Sequence, residues 1–134
     1  MKAPLGHIQF NVRQENLPFY RDLLVFLGWE LIGDWPGMIG LGSVEGQSLW
    51  FSGAATAVSN DYDGPGMNHL AFAAASVADV DEAVAFLTAR GVASLFETPR
   101  HRPEFARDAQ STYYQVMFES PDRILFEIVY IGPL

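Results

Sequence analysis

Cysteine is absent from all 134 residues, which excludes disulfides, a thiolate nucleophile and any Cys-based zinc or iron–sulfur site. A metal would have to be held by His, Asp, Glu or backbone oxygen. Positive charge is scarce: 8 Lys+Arg stand against 16 Asp+Glu, a formal −8. Such a surface repels phosphate backbones and anionic lipid, so neither nucleic acid nor membrane is an expected partner. The acidic residues are scattered rather than gathered into a tail. No apolar run approaches the roughly 20 residues of a membrane span. The opening MKAPLGHIQFNV lacks the charged-then-apolar shape of a signal peptide. The expected location is the cytoplasm. Charged residues make up only 18% and apolar ones 49%, a balance that excludes disorder. The length suits one domain, 1–134, with a sizeable core.

What is present is a pattern that occurs twice. Leu5 to Val12 alternates His7, Gln9 and Asn11 against Ile8, Phe10 and Val12, which predicts a strand. A helix follows from Asn16, a candidate N-cap, with Phe19, Leu23, Phe26 and Leu27 at helical spacing and Gly28 as terminator. Strands are then expected at Trp29–Gly33, Met38–Leu41 and Ser48–Ser52, and a small, polar connector at Gly53–Gly66. The order restarts with a strand at Met67–Ala74 and a helix at Val80–Arg90, for which Asp79 is the expected N-cap and Gly91 the stop. Strands at Val92–Phe96, Thr112–Phe118 and Ile124–Tyr130 complete it, with a Pro- and Arg-bearing loop at Thr98–Gln110. His7 and His69 fall at equivalent points, as do Gly28 and Gly91. A duplicated βαβββ unit, with modules at about 4–53 and 66–131, is the simplest account.

Chemistry concentrates at three positions. His7 lies on the polar face of the first strand, and His69 on the less bulky face of the fifth. Glu127 is the one charged group in the apolar strand Ile124–Tyr130. A carboxylate buried there without compensation would cost several kcal/mol. Two histidines and a carboxylate on inward strand faces form a candidate 2-His-1-carboxylate site, suited to Fe(II), Mn(II) or a similar divalent ion. Without the repeat, the residues alone favour another account, in which each His is bonded to backbone and Glu127 is paired with an arginine. Tyr113 and Gln115 share Glu127's side of the sheet if Val116 and Phe118 face the helix. A slip of one residue would replace Tyr113 by Tyr114. His101, between Arg100 and Arg102, is either a solvated loop residue or an acid/base group reaching over the site. No nucleophile elbow, P-loop or dinucleotide fingerprint occurs.

The segments Gly6-His7-Ile8, Asn68-His69-Leu70-Ala71-Phe72 and Phe118-Glu-Ser-Pro-Asp-Arg-Ile-Leu-Phe-Glu127, in this order, resemble the vicinal oxygen chelate superfamily. That superfamily includes glyoxalase I, extradiol dioxygenases and the fosfomycin- and bleomycin-resistance proteins. The resemblance covers almost the whole chain. It implies that His7, His69 and Glu127 are metal ligands, with Fe(II), Mn(II), Zn(II) or Ni(II) as the ion. It also implies a homodimer and a small-molecule substrate that offers two neighbouring oxygens. The chain departs from the family pattern in two places. Ser48-Leu-Trp-Phe-Ser52 offers no strong fourth ligand, unlike glyoxalase I, and Ser120 and Arg123 stand where the hairpin usually has Asp and Gly.

The resulting expectation is an α+β fold of two βαβββ modules, a curled mixed-sheet cup with helices outside. Within it Glu127, Tyr113 and His101 are candidate catalytic residues, and Gln115, Trp50 and Phe51 candidate substrate contacts. The competing expectation is a metal-free binder of an apolar or aromatic drug, with Trp35, Trp50, Phe51 and the tyrosines as walls. The relatives that bind bleomycin keep this fold without the ligand set, so fold alone does not imply catalysis.

Overall fold

The chain, described over residues 1–134 by a computed structural model, divides into two units, Met1–Ser59 and Asn60–Leu134. In the first unit, β1 (His7–Asn11) leads through a short 3-10 turn at Gln14–Asn16 into α1 (Leu17–Phe26). Three strands follow: β2 (Glu30–Trp35), β3 (Met38–Gly42) and β4 (Ser48–Ser52). They form a four-stranded sheet of order β1-β4-β3-β2, with β1 parallel to β4 and the other pairs antiparallel. Leu17, Tyr20, Leu23 and Leu24 on α1 meet Phe10, Ile39, Leu41, Leu49 and Phe51 from the sheet, all buried. Phe51 is the centre of this core, stacked on Tyr20 at 4.5 Å and on Phe10 at 5.1 Å.

The second unit repeats the plan. Its elements are β5 (Leu70–Ala73), α2 (Val77–Ala89), β6 (Leu95–His101), β7 (Ser111–Glu119) and β8 (Leu125–Pro133), with a 3-10 turn at Pro103–Phe105. The sheet order is β5-β8-β7-β6, and β5 is parallel to β8. Val80, Ala83 and Leu87 of α2 are buried, as are Phe72, Val116, Phe118, Phe126 and Ile128 on the alternate positions of the sheet. A strand's side-chain period of two then sends the other set, which includes Glu127, to the opposite face. Both helices end at a glycine with positive φ, Gly28 at 89° and Gly91 at 73°, where a residue with a Cβ would be strained. The fold is thus α+β, a βαβββ unit made twice. No helix is long and apolar enough to cross a membrane.

The structure moves several boundaries. The strand expected at Met67–Ala74 is only Leu70–Ala73, so His69 immediately precedes β5. Helix α2 begins three residues early because Ser76, not Asp79, is its cap: the Asp79 N–H donates to Ser76 Oγ at 3.1 Å. Asp79 in turn accepts from the Ala75 N–H at 3.2 Å, a reciprocal cap of the kind that fixes helix starts. Asn16 makes no side-chain cap. The largest correction lies in the loop expected at Thr98–Gln110, whose first residues belong to β6. That strand continues to His101 through a bulge between Leu95 and Arg100. Thr98 makes the bulge tolerable. Its hydroxyl donates to the Leu95 carbonyl at 2.6 Å and accepts the Met117 N–H at 3.0 Å, so a side chain stands in for a strand partner.

Candidate functional site

The register of β7 on β8 builds the site. Tyr113, Gln115 and Met117 lie opposite Ile131, Val129 and Glu127, so all six share the sheet face that points away from α2. Tyr114 takes the other face, where its hydroxyl donates to Asp81 of α2 at 2.7 Å. No slip occurs, and Tyr113 is the tyrosine beside Glu127.

Glu127 is only 2% exposed. Its Oε1 accepts the Tyr113 hydroxyl at 2.5 Å and the Gln115 amide N–H at 2.7 Å. Its Oε2 faces His69 Nε2 at 3.0 Å. The far side of the His69 ring, Nδ1, meets Asn68 Oδ1 at 2.7 Å, and Asn68 donates to the Tyr62 carbonyl at 2.9 Å. Ala71, directly beside Glu127 in β5, and Ala73 put only methyl groups on this face. The burial cost of the carboxylate is therefore offset by three partners, and no buried side-chain polar atom lacks one. Burial, then the hydrogen bond to Glu127, pushes the Tyr113 phenol well above its ordinary range. It stays protonated and donates a hydrogen bond.

The donor set can be tested for a metal. Two ligands at about 2.0–2.2 Å from one ion, seen at a right angle, stand roughly 3 Å apart, and the His69–Glu127 separation of 3.0 Å fits. Asn68 on His69 Nδ1 and the two donors on Glu127 Oε1 are outer-shell contacts of the kind that orient such ligands. Within this unit no third His, Asp or Glu joins them. His7 belongs to the first unit, where it is exposed at the start of β1, beside Ser48 and on the sheet face opposite α1.

Two candidates are relocated. His101 pairs in register with Tyr114, packs on that ring at 4.6 Å and meets Thr112 Oγ1 at 2.5 Å. It sits on the α2 side of the sheet, away from Glu127. The alternation of β6 decides this, since Arg100 and Arg102 occupy the face that holds Gln115. Phe51 is fully buried under α1, so it is a core residue and no wall for a ligand. Trp50, its neighbour, takes the other face, half-buried, with its indole N–H on Ser48 Oγ at 2.9 Å. Trp35 stacks beside it at 6.1 Å and is 56% exposed.

Sequence reasoning missed Arg102. Its Nε–H donates to Gln115 Oε1 at 2.8 Å. No periodic signal marks it, because the bulge in β6 sets its direction.

A family model of the Glyoxalase/Bleomycin resistance protein/Dioxygenase superfamily matches residues 5–128. The chain belongs to this superfamily. Among solved structures, a Bacillus halodurans protein provisionally described as a glyoxalase is 31% identical over 96% of both chains, with a TM-score of 0.80. A glyoxalase/dioxygenase from Nostoc punctiforme is 21% identical over 100% of this chain and 97% of its own, at a TM-score of 0.73. The fosfomycin resistance protein FosX from Listeria monocytogenes is 21% identical over 97% and 94%, at 0.67. The last two likenesses are of fold alone. No curated protein matches the chain. As a vicinal oxygen chelate protein, this superfamily member places its second-unit histidine and its final-strand carboxylate side by side.

Proposed function

We propose that this protein is a divalent-metal-dependent enzyme that acts on a small molecule presenting two neighbouring oxygens, with His7, His69 and Glu127 as the ligands. The observation that carries this reading is the buried carboxylate of Glu127 facing His69 at 3.0 Å in an otherwise apolar strand. A bound divalent ion would supply Lewis acidity, stabilising negative charge that develops on substrate oxygens. Fe(II), Mn(II), Zn(II) and Ni(II) all suit such donors. The chain's own residues do the rest. Gln115 and Tyr113 hold the carboxylate in place, Tyr113 through a hydroxyl that keeps its proton and shares it only as a hydrogen bond. The reaction class in this reading is oxygenation, elimination or isomerisation, or thiol transfer. The protein would work in the cytoplasm as a homodimer.

A second reading has its own support. Trp35 and Trp50 present a stacked, partly exposed aromatic pair on the open face of the first sheet, a surface suited to a flat apolar molecule. In this reading the protein sequesters such a ligand without metal.

Elemental analysis of protein purified without added metal, followed by activity screens with the restored ion, separates the two. Stoichiometric divalent metal is the expected result. A protein that retains no divalent ion under any condition, yet binds a flat hydrophobic ligand tightly, would establish the second reading instead.

A further inference from the structure

We propose that Arg102 is a positioning residue for Glu127 and acts through Gln115; the inference rests on the metal-dependent reading above. A guanidinium can only donate, whereas a primary amide has one donating and one accepting end. Arg102 therefore fixes which way Gln115 points. With its Nε–H on Gln115 Oε1 at 2.8 Å, the amide must turn its NH2 to Glu127 Oε1, which it meets at 2.7 Å. Tyr113 takes the same oxygen at 2.5 Å. The two carboxylate oxygens thereby acquire different tasks: Oε1 is held by two donors, and Oε2 is left turned to His69.

The placement of Arg102 has a visible cause. The bulge in β6 carries two consecutive non-glycine residues in the left-handed region, Phe96 at φ 56° and Glu97 at φ 59°. Such strain persists where surrounding structure over-determines it. Here the Phe96 carbonyl accepts from Arg102 Nη2 at 3.4 Å, and Glu104 lies 3.6 Å from Nη1. The guanidinium is thus clamped at its far end by neighbours and presents Nε–H inward. Gln115 also stands between Arg102 and Glu127, so the arginine fork does not take both carboxylate oxygens, as a direct bidentate pair would. The chain supports its carboxylate through an amide and keeps Oε2 available.

The test uses the whole protein and two readouts. The first is the side-chain amide signal of Gln115 in metal-free, nitrogen-labelled protein, followed by nuclear magnetic resonance. The second is the affinity for Co(II), titrated by its visible absorption. Arg102→Met is expected to shift the Gln115 amide pair and speed its exchange with water, at an unchanged circular-dichroism spectrum. It should weaken Co(II) binding about ten-fold, the scale of outer-shell losses. Gln115→Leu should weaken it similarly, and the double variant no further, because the arginine acts only through the amide. Should Met at 102 prevent folding, Arg102→Gln keeps a polar side chain whose own amide can donate or accept, so it no longer dictates which way Gln115 points, and the amide signal is expected to shift as well. An unaltered Gln115 signal in the Arg102 variants, or losses in Co(II) affinity that add, would overturn the inference. If the unaltered protein binds no Co(II), the metal-dependent reading fails, and the amide signal still decides whether Arg102 orients Gln115.

Discussion

Tyr113 donates its hydroxyl to Glu127 Oε1 at 2.5 Å, whereas Tyr114, the next residue, sends its own through the other face of the sheet to Asp81. Two adjacent tyrosines thus serve two ends. The first completes a buried polar centre, and the second ties the sheet to α2.

The carboxylate is the group on which the enzymatic reading stands. Glu127→Gln keeps the volume and removes the charge. It is expected to lower divalent-metal occupancy after dialysis by about ten-fold or more while the circular-dichroism spectrum stays unchanged. Loss of a buried charge does not by itself unfold a well-packed strand. Metal occupancy equal to that of the unaltered protein would remove Glu127 from the ligand set.

The outer tyrosine contributes to stability at alkaline pH. Burial, then the hydrogen bond to Asp81, raises the Tyr114 phenol to about 12 from its ordinary 10.0. The folded form therefore holds this proton more tightly than the unfolded chain. Its contribution is fully present below pH 10.0 and is lost as pH rises toward about 12. Urea unfolding across that window should show stability falling less steeply in Tyr114→Phe than in the unaltered protein. Equal slopes would refute the assignment.

Thr98 substitutes for a strand partner at the bulge, so its hydroxyl carries more than a surface threonine's would. Thr98→Val preserves shape but strands the Met117 N–H in a buried position. The expected loss is about 1–3 kcal/mol by denaturant unfolding. A change within about 0.5 kcal/mol, ordinary for surface positions, would show that the bulge satisfies itself another way.

On the first sheet, a Cβ at Gly40 would run into the Trp50 ring. Gly40→Ala must lift that half-exposed indole off the strand. Tryptophan emission is expected to move toward that of a solvated ring, with a stability cost of roughly 1 kcal/mol, the low end of overpacking. Unchanged emission would mean that the indole rests elsewhere in solution.

Much of this was legible in the chain itself. The alternation in Leu5–Val12 and Ile124–Tyr130, the glycines that end both helices and the equivalent placing of His7 and His69 all led to a duplicated βαβββ plan. Strand period, helix period and glycine's access to positive φ are local properties, readable without contacts. One charged residue in an apolar strand likewise marked Glu127 before any partner was visible. The tertiary structure decided what depends on register. Whether Tyr113 or Tyr114 meets Glu127, whether His101 faces that site, and whether Arg102 reaches Gln115 each turn on a single-residue offset that inverts every side chain. In β6 that offset is set by a bulge held together by Thr98 and two left-handed residues. Nothing in the spacing of Leu95–His101 announces it, because a bulge forms only against the strand it interrupts.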